Sequence, residues 1–179
     1  MTTSGFIQID KHTRVEMLTE SEKQEIIKKL QSNTGEHWAN LLATYFISDT
    51  GKVYSATSNK LITPALNERD GYLTFVISYQ GKRHTFYVHR VVNLLFNNDI
   101  GYNPIDIYLG VYGRYSTHHI DGDKTNNKAN NLIWIKQGTH ATLHKMLNRG
   151  EIKQSDINTV AKLISVCGQI VRAKQAKGA

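Results

Sequence analysis

The sequence predicts an α+β fold: an N-terminal helix and two β-hairpins, a central ββα unit and a helical C-terminus. Three observations predict it. A capping signal, "TESE", precedes apolar residues at helical spacing; β-rich runs flank each of two short turns; and the stretch "STHHIDGDKTNNKANNLIWIKQGTHATLHK", Ser116 to Lys145, passes from strand pattern to loop, strand and helix. With 179 residues and 40% apolar content, the chain can bury a core as one domain or two small ones.

The capping signal places Thr19 where its side chain holds a backbone N–H while Glu22 reaches back, so a helix should run from there to about Gln31. Ile26, Ile27 and Leu30 form one narrow face, which is the pattern of a packing helix. "YFISDTGKVYSATS" and "YLTFVISYQGKRHTFYVHR" then read as hairpins around Asp49-Thr50-Gly51 and Gln80-Gly81. In the second, Tyr72, Thr74, Val76 and Ser78 alternate with Leu73, Phe75, Ile77 and Tyr79. "VHRVVNLLF" shifts to helical spacing, and "NNDIGYNPIDIYLG", with Pro104, reads as a loop between modules. The segments so defined are a helical 1–35, a β-rich 36–100, a ββα unit at 101–150 and a basic helical 151–179. The last carries an apolar stripe of Ile157, Val160, Ala161, Ile164, Cys167 and Val171.

A formal net charge of +7 points to an acidic partner such as nucleic acid. Cys167 is the only cysteine, which excludes an intrachain disulfide and thiolate zinc sites, and suits a reducing, cytoplasmic setting. The N-terminal stretch lacks a signal-peptide pattern and no run approaches a membrane span, so neither secretion nor membrane insertion is expected.

Half of the eight histidines lie between Ser116 and Lys145. "GRYSTHHI" reads as a strand ending at two histidines, "DGDKTNNKANN" as a turn-rich loop, and "LIWI" as a returning strand in which Trp134 should plug the core behind the next helix. "GTHATLHKMLNRG" reads as that helix, with Thr139 near its N-cap and Gly150 past its end. His140 and His144 then share one helical face, a spacing that lets two imidazoles grip one metal. Adjacent strand residues face opposite ways, so one of His118 and His119 can complete the ligand set while the other is left for a second task. Spacing alone leaves a plain surface pair open as well.

"HHIDGDKTNNKANNLIWI" followed by "HATLH" resembles an HNH, or ββα-metal, nuclease over about Thr117 to His144. The resemblance implies His119 as general base, Asn131 as the brace of the hairpin, and His118 and His140 as metal ligands. His144 resembles the extra helix ligand of the colicin-type subset, whereas homing members often carry Asp and Asn at the positions of His118 and His140. Upstream, Trp38, "ISDTGKVYS", Gly71-Tyr72 and "VHRVVNLLF" are similar to the NUMOD4 module found beside HNH units in phage and intron endonucleases.

The two likenesses imply a homing-type DNA endonuclease, acting as a monomeric nickase on double-stranded DNA. Its cofactor would be a divalent metal ion, Mg²⁺ or Mn²⁺ for turnover, with Zn²⁺ or Ni²⁺ also able to bind imidazole ligands. Lys60, Arg69, Lys82 and Arg83 on the hairpins, with Arg90 of the module's motif, are candidates for DNA contact. A packaging-associated or non-specific HNH nuclease is the alternative among enzymes. A DNA-binding protein with a structural metal is the alternative outside them.

Overall fold

The computed structural model describes residues 5–8, 14–97, 115–157 and 159–160. Strands β1 (Gly5–Gln8) and β2 (Arg14–Met17) pair antiparallel ahead of helix α1 (Glu20–Thr34). The capping box forms as the sequence predicts: Glu22 N donates to Thr19 Oγ1 at 3.3 Å and Thr19 N donates to Glu22 Oε2 at 2.7 Å. The helix runs to Thr34, beyond the predicted Gln31, because the glycine able to take the left-handed cap is Gly35, at φ 70°.

Both predicted hairpins are present, each inside a larger sheet. β3 (Trp38–Leu42), β4 (Tyr45–Ser48), β5 (Val53–Ser55) and β6 (Lys60–Ile62) form a four-stranded meander. β7 (Ala65–Asn67), β8 (Tyr72–Tyr79) and β9 (Lys82–Tyr87) form a three-stranded one. β6 and β7 hold three residues each, too few for a period-two pattern to show in the sequence. In β8 the set containing Phe75 and Ile77 faces the core, where both are buried.

Helix α2 (Val88–Phe96) buries six of its nine residues, among them His89 and Asn93. Val88, Val91, Val92 and Leu94 meet Ile47 and Val53 from the first sheet, and Phe75, Ile77 and Phe86 from the second. Leu132, which comes from the far hairpin, completes this core.

That hairpin is β10 (Tyr115–His119) and β11 (Leu132–Lys136), joined by a loop that ends in a 3₁₀ turn at Ala129–Asn131. Helix α3 (Gln137–Asn148) follows without an intervening loop. Its N-cap is Lys136, and Thr139, expected near the cap, is the helix's third residue because the strand turns directly into the helix at Lys136. Alternation along β11 sends Leu132 and half-buried Trp134 toward α2, and Ile133 and Ile135 toward α3. Trp134 therefore packs on the larger core and not behind α3, where Ile135, Leu143 and Ile157 form a smaller core. The Pro104 loop and the C-terminal stripe beyond Val160 lie outside the described residues. Among the described residues, no helix is long and apolar enough to cross a membrane.

Candidate active site

β10 and β11 pair from Tyr115↔Lys136 to His119↔Leu132, so the two adjacent histidines leave the hairpin on opposite faces. His118 meets α3. His140 Nε2 lies 3.1 Å from His118 Nδ1 and 3.0 Å from His144 Nε2. Three ligand-capable nitrogens, one from each ring, fall within 4.8 Å of one another, and the set grades from buried His118 through half-buried His140 to exposed His144.

One ring nitrogen carries either a lone pair or a proton, so His140 Nε2 cannot make two good hydrogen bonds at once. Three lone pairs aimed at one cation suit the arrangement better. Ligand nitrogens ~2.0–2.1 Å from a tetrahedral ion lie roughly 3.3 Å apart, close to the separations found here. Burial first, then the neighbouring His140 and His144, push His118 down to about 4. Burial and then His144 push His140 down as well. Both rings are neutral at neutral pH, the form that binds metal. The residues thus fit a divalent ion that accepts imidazole, with its outer side open to a further ligand.

His119 turns the other way and is 4% exposed. Its Nε2 lies 3.0 Å from Asn127 Oδ1, and since an amide oxygen only accepts, Nε2 holds the proton and Nδ1 keeps the lone pair. Tyr72 stacks on the ring at 5.8 Å and 26°, and His89 meets it edge-on at 5.2 Å. Burial pushes His119 down, outweighing the upward effect of the Asn127 hydrogen bond, so this imidazole is also neutral.

The loop between the strands is tied from inside and outside. Asn131 Oδ1 accepts from Asp121 N at 3.1 Å, while its Nδ2 donates to Asp121 Oδ1 at 2.9 Å and to Asn126 O at 2.8 Å. Gln154, from a 3₁₀ turn after α3, donates to Ile120 O at 2.9 Å. From α2's end, Asn97 Nδ2 donates to Ala129 O at 2.7 Å and Leu132 O at 3.1 Å. Ala129 N donates to Asp49 O at 2.7 Å, which joins the loop to the β4–β5 turn.

Lys60, Arg69, Lys82, Arg83 and Arg90 are all exposed. Lys60 opens β6, Arg69 lies in the β7–β8 turn, and Lys82 and Arg83 open β9. Arg90 stands apart from these four: it lies in α2's first turn, over the Tyr87 ring at 4.6 Å, and lines a cleft with His140. Asn127, the partner of His119, carries no signal in the sequence, since nothing distinguishes it from Asn126, Asn130 and Asn131 in "NNKANN". The packing of Tyr72 and His89 on His119 is equally silent in the sequence, although both lie in the upstream motif. Lys124 also ties the loop to the β-rich module: its Nζ donates to Asp70 O at 2.8 Å and sits over the Tyr72 ring at 4.8 Å.

A hairpin that divides two histidines between a helix-borne imidazole cluster and a braced loop defines the HNH type of site, and the chain belongs to the HNH homing endonuclease family. It is similar to the structure of the HNH homing endonuclease I-HmuI, described for DNA binding and cleavage, with 30% identity and a TM-score of 0.51 over 72% of this chain and 68% of that one. The DNA endonuclease I-HmuI of Bacillus phage SP01 is 33% identical over 119 residues, 66% of this chain. An uncharacterized HNH endonuclease of Acanthamoeba polyphaga mimivirus is 34% identical over 124 residues, again 66% of this chain. The matches span 60% of the phage enzyme's length and 33% of the mimivirus protein's. No family model matches the chain.

Proposed function

We propose that this chain is a metal-dependent endonuclease that hydrolyses one strand of double-stranded DNA at a time, in the manner of a homing-type nickase of phage or intron origin. The observation that carries the reading is the division of labour across β10, with His118 on the imidazole cluster and His119 on the braced loop. His118, His140 and His144 would hold the ion. When bound there, a divalent cation supplies Lewis-acid stabilisation of charge on the phosphoryl oxygens and on the leaving 3′ oxygen.

The remaining work falls to the chain. Asn127 fixes the tautomer of His119, whose neutral Nδ1 takes a proton from the attacking water. Tyr72 and His89 hold the ring from its face and edge. Asn131 and Gln154 fix the loop that follows His119. The strand break leaves a 5′ phosphate. Residues 36–100 act as a NUMOD4-like DNA-binding module, with Lys60, Arg69, Lys82 and Arg83 on phosphates or base edges.

A supercoiled plasmid incubated with Mg²⁺, Mn²⁺, Ni²⁺, Zn²⁺ or EDTA tests this. Wild type should convert it to open circles with at least one ion and not with EDTA. His119→Ala should lose nicking by at least about 100-fold while DNA binding and metal content stay near wild type. His140→Ala and His144→Ala should lower metal content. A protein that binds DNA and metal yet never nicks with any ion would be the structural-metal DNA binder instead. Uniform cutting without a preferred position would favour the non-specific nuclease.

A further inference from the structure

Beside the imidazole cluster lies a cleft of about 170 Å³, lined by Tyr72, His89, Arg90, Ser116, Gln137 and His140 among others. Two helices present their first turns to it: His89 and Arg90 belong to the start of α2, and Gln137 opens α3. Neither helix has a side-chain N-cap or an acidic residue in its first turn. α1 differs, with a capping box and two glutamates there. Neither first turn therefore carries an acid of its own against the positive end of its helix dipole; among the described residues the carboxylate that acts on His89 is Asp70, which accepts from the Tyr87 hydroxyl at 2.7 Å.

A second observation is independent of the helices. His89 is 4% exposed and forms part of the cleft wall, and its Nδ1 is buried with no hydrogen-bond partner among the described residues. Leaving a buried polar nitrogen unpaired costs free energy that a ligand oxygen can offset. Arg90 brings a permanent charge to the same wall, and Ser116 brings a hydroxyl.

We infer that this cleft is an anion subsite for a backbone phosphate of the bound DNA strand, next to the one that faces the imidazole cluster, with Arg90, His89 and the first turns of α2 and α3 as its walls. His140 belongs both to the cluster and to the cleft lining, so an anion here sits directly beside the cleavage centre. The subsite sets the register of the strand across His118 and His119. It rests on the proposed DNA cleavage for its meaning, but its test reads binding.

The probe is a fluorescent duplex selected for tight binding by wild type, titrated with the metal-loaded 179-residue chain by anisotropy at several salt concentrations. Arg90→Gln should weaken binding about tenfold and reduce the salt slope by about one. Gln137→Glu, which suits a helix N-terminus but repels an anion, should weaken it similarly without loss of thermal stability. Duplexes carrying one neutral methylphosphonate linkage at successive positions locate the contact. A single linkage, beside the cut where the duplex is nicked, should weaken wild type but cost Arg90→Gln nothing further. Equal binding and salt slope in all three proteins, or variants that lose affinity whichever linkage is neutral, would overturn the assignment. So would inorganic phosphate binding that depends on Arg90 alongside a flat methylphosphonate scan, because that describes a free-anion site. A wild type that binds with this pattern but does not nick refutes the proposed cleavage and keeps the subsite.

Discussion

His119 is one side chain whose chemistry depends on another. In the proposed reaction His119 takes a proton through Nδ1 and must keep its Nε2–H pinned, and Asn127 Oδ1 at 3.0 Å is the group placed to do so. Asn127→Ala should lower kcat about 10- to 100-fold, the scale seen when a partner orienting a histidine is removed, with KM for DNA and metal content little changed. Asn127→Asp keeps an acceptor at the same place and should restore most of the rate. Single-turnover nicking with saturating protein would measure both; an alanine variant as fast as wild type would place the orientation of His119 elsewhere. The histidines themselves were legible from the sequence because period two along a strand and one turn along a helix are strong geometric rules. Asn127 was not. Its role comes from a loop conformation that also seats Asn126 and Asn131 on Asp121, and a run of similar residues carries no period.

At the level of elements, the β4–β5 turn does more than reverse the chain. Gly51 has φ +92°, and a Cβ there would lie 2.7 Å from Val88 Cγ1 and 3.3 Å from the Cβ of Asn127. The turn therefore sits directly against the start of α2 and the residue that pins His119. Gly51→Ala should combine backbone strain with overpacking and destabilise the protein by at least about 2 kcal/mol in urea unfolding. Gly35→Ala is the contrast: φ is +70° but nothing lies within 4 Å of the added Cβ, so about 1 kcal/mol of conformational strain is the whole effect expected. Equal losses would show that the contact with Val88 and Asn127 relaxes freely. The turn itself was visible in "DTG", and both hairpins with it. The contact was hidden, since it joins residues 51 and 127 through folding that no local pattern records.

Across the whole molecule, the β-rich module and the histidine-bearing hairpin share a core through α2 and Leu132, and His89 lies at that junction. The ββα pattern, the capping box and the hairpin alternation made the parts legible, but the way β11 divides its side chains between two cores had to be seen. That division is why Trp134 packs on the larger core and not behind α3. His89 packs on Tyr72 at 4.5 Å and on Tyr87 at 5.5 Å. Burial, then the nearby His119 and Arg90, push it from 6.5 down to about 3. Its proton affinity in the unfolded chain is the ordinary one, so between about 3 and 6.5 the unfolded state binds the extra proton and stability rises with pH. The contribution is fully present above pH 6.5 and is lost as pH falls toward 3. His118, pushed down to about 4, adds to the same trend in metal-free protein. In EDTA, the urea midpoint of wild type should therefore fall steadily from pH 7 to pH 4. His89→Phe keeps an aromatic ring between Tyr72 and Tyr87 without a titrating nitrogen, so its midpoint should fall less over that range. A variant with the full wild-type slope would mean that His89 accepts its proton without unpacking the junction between the two parts of the molecule.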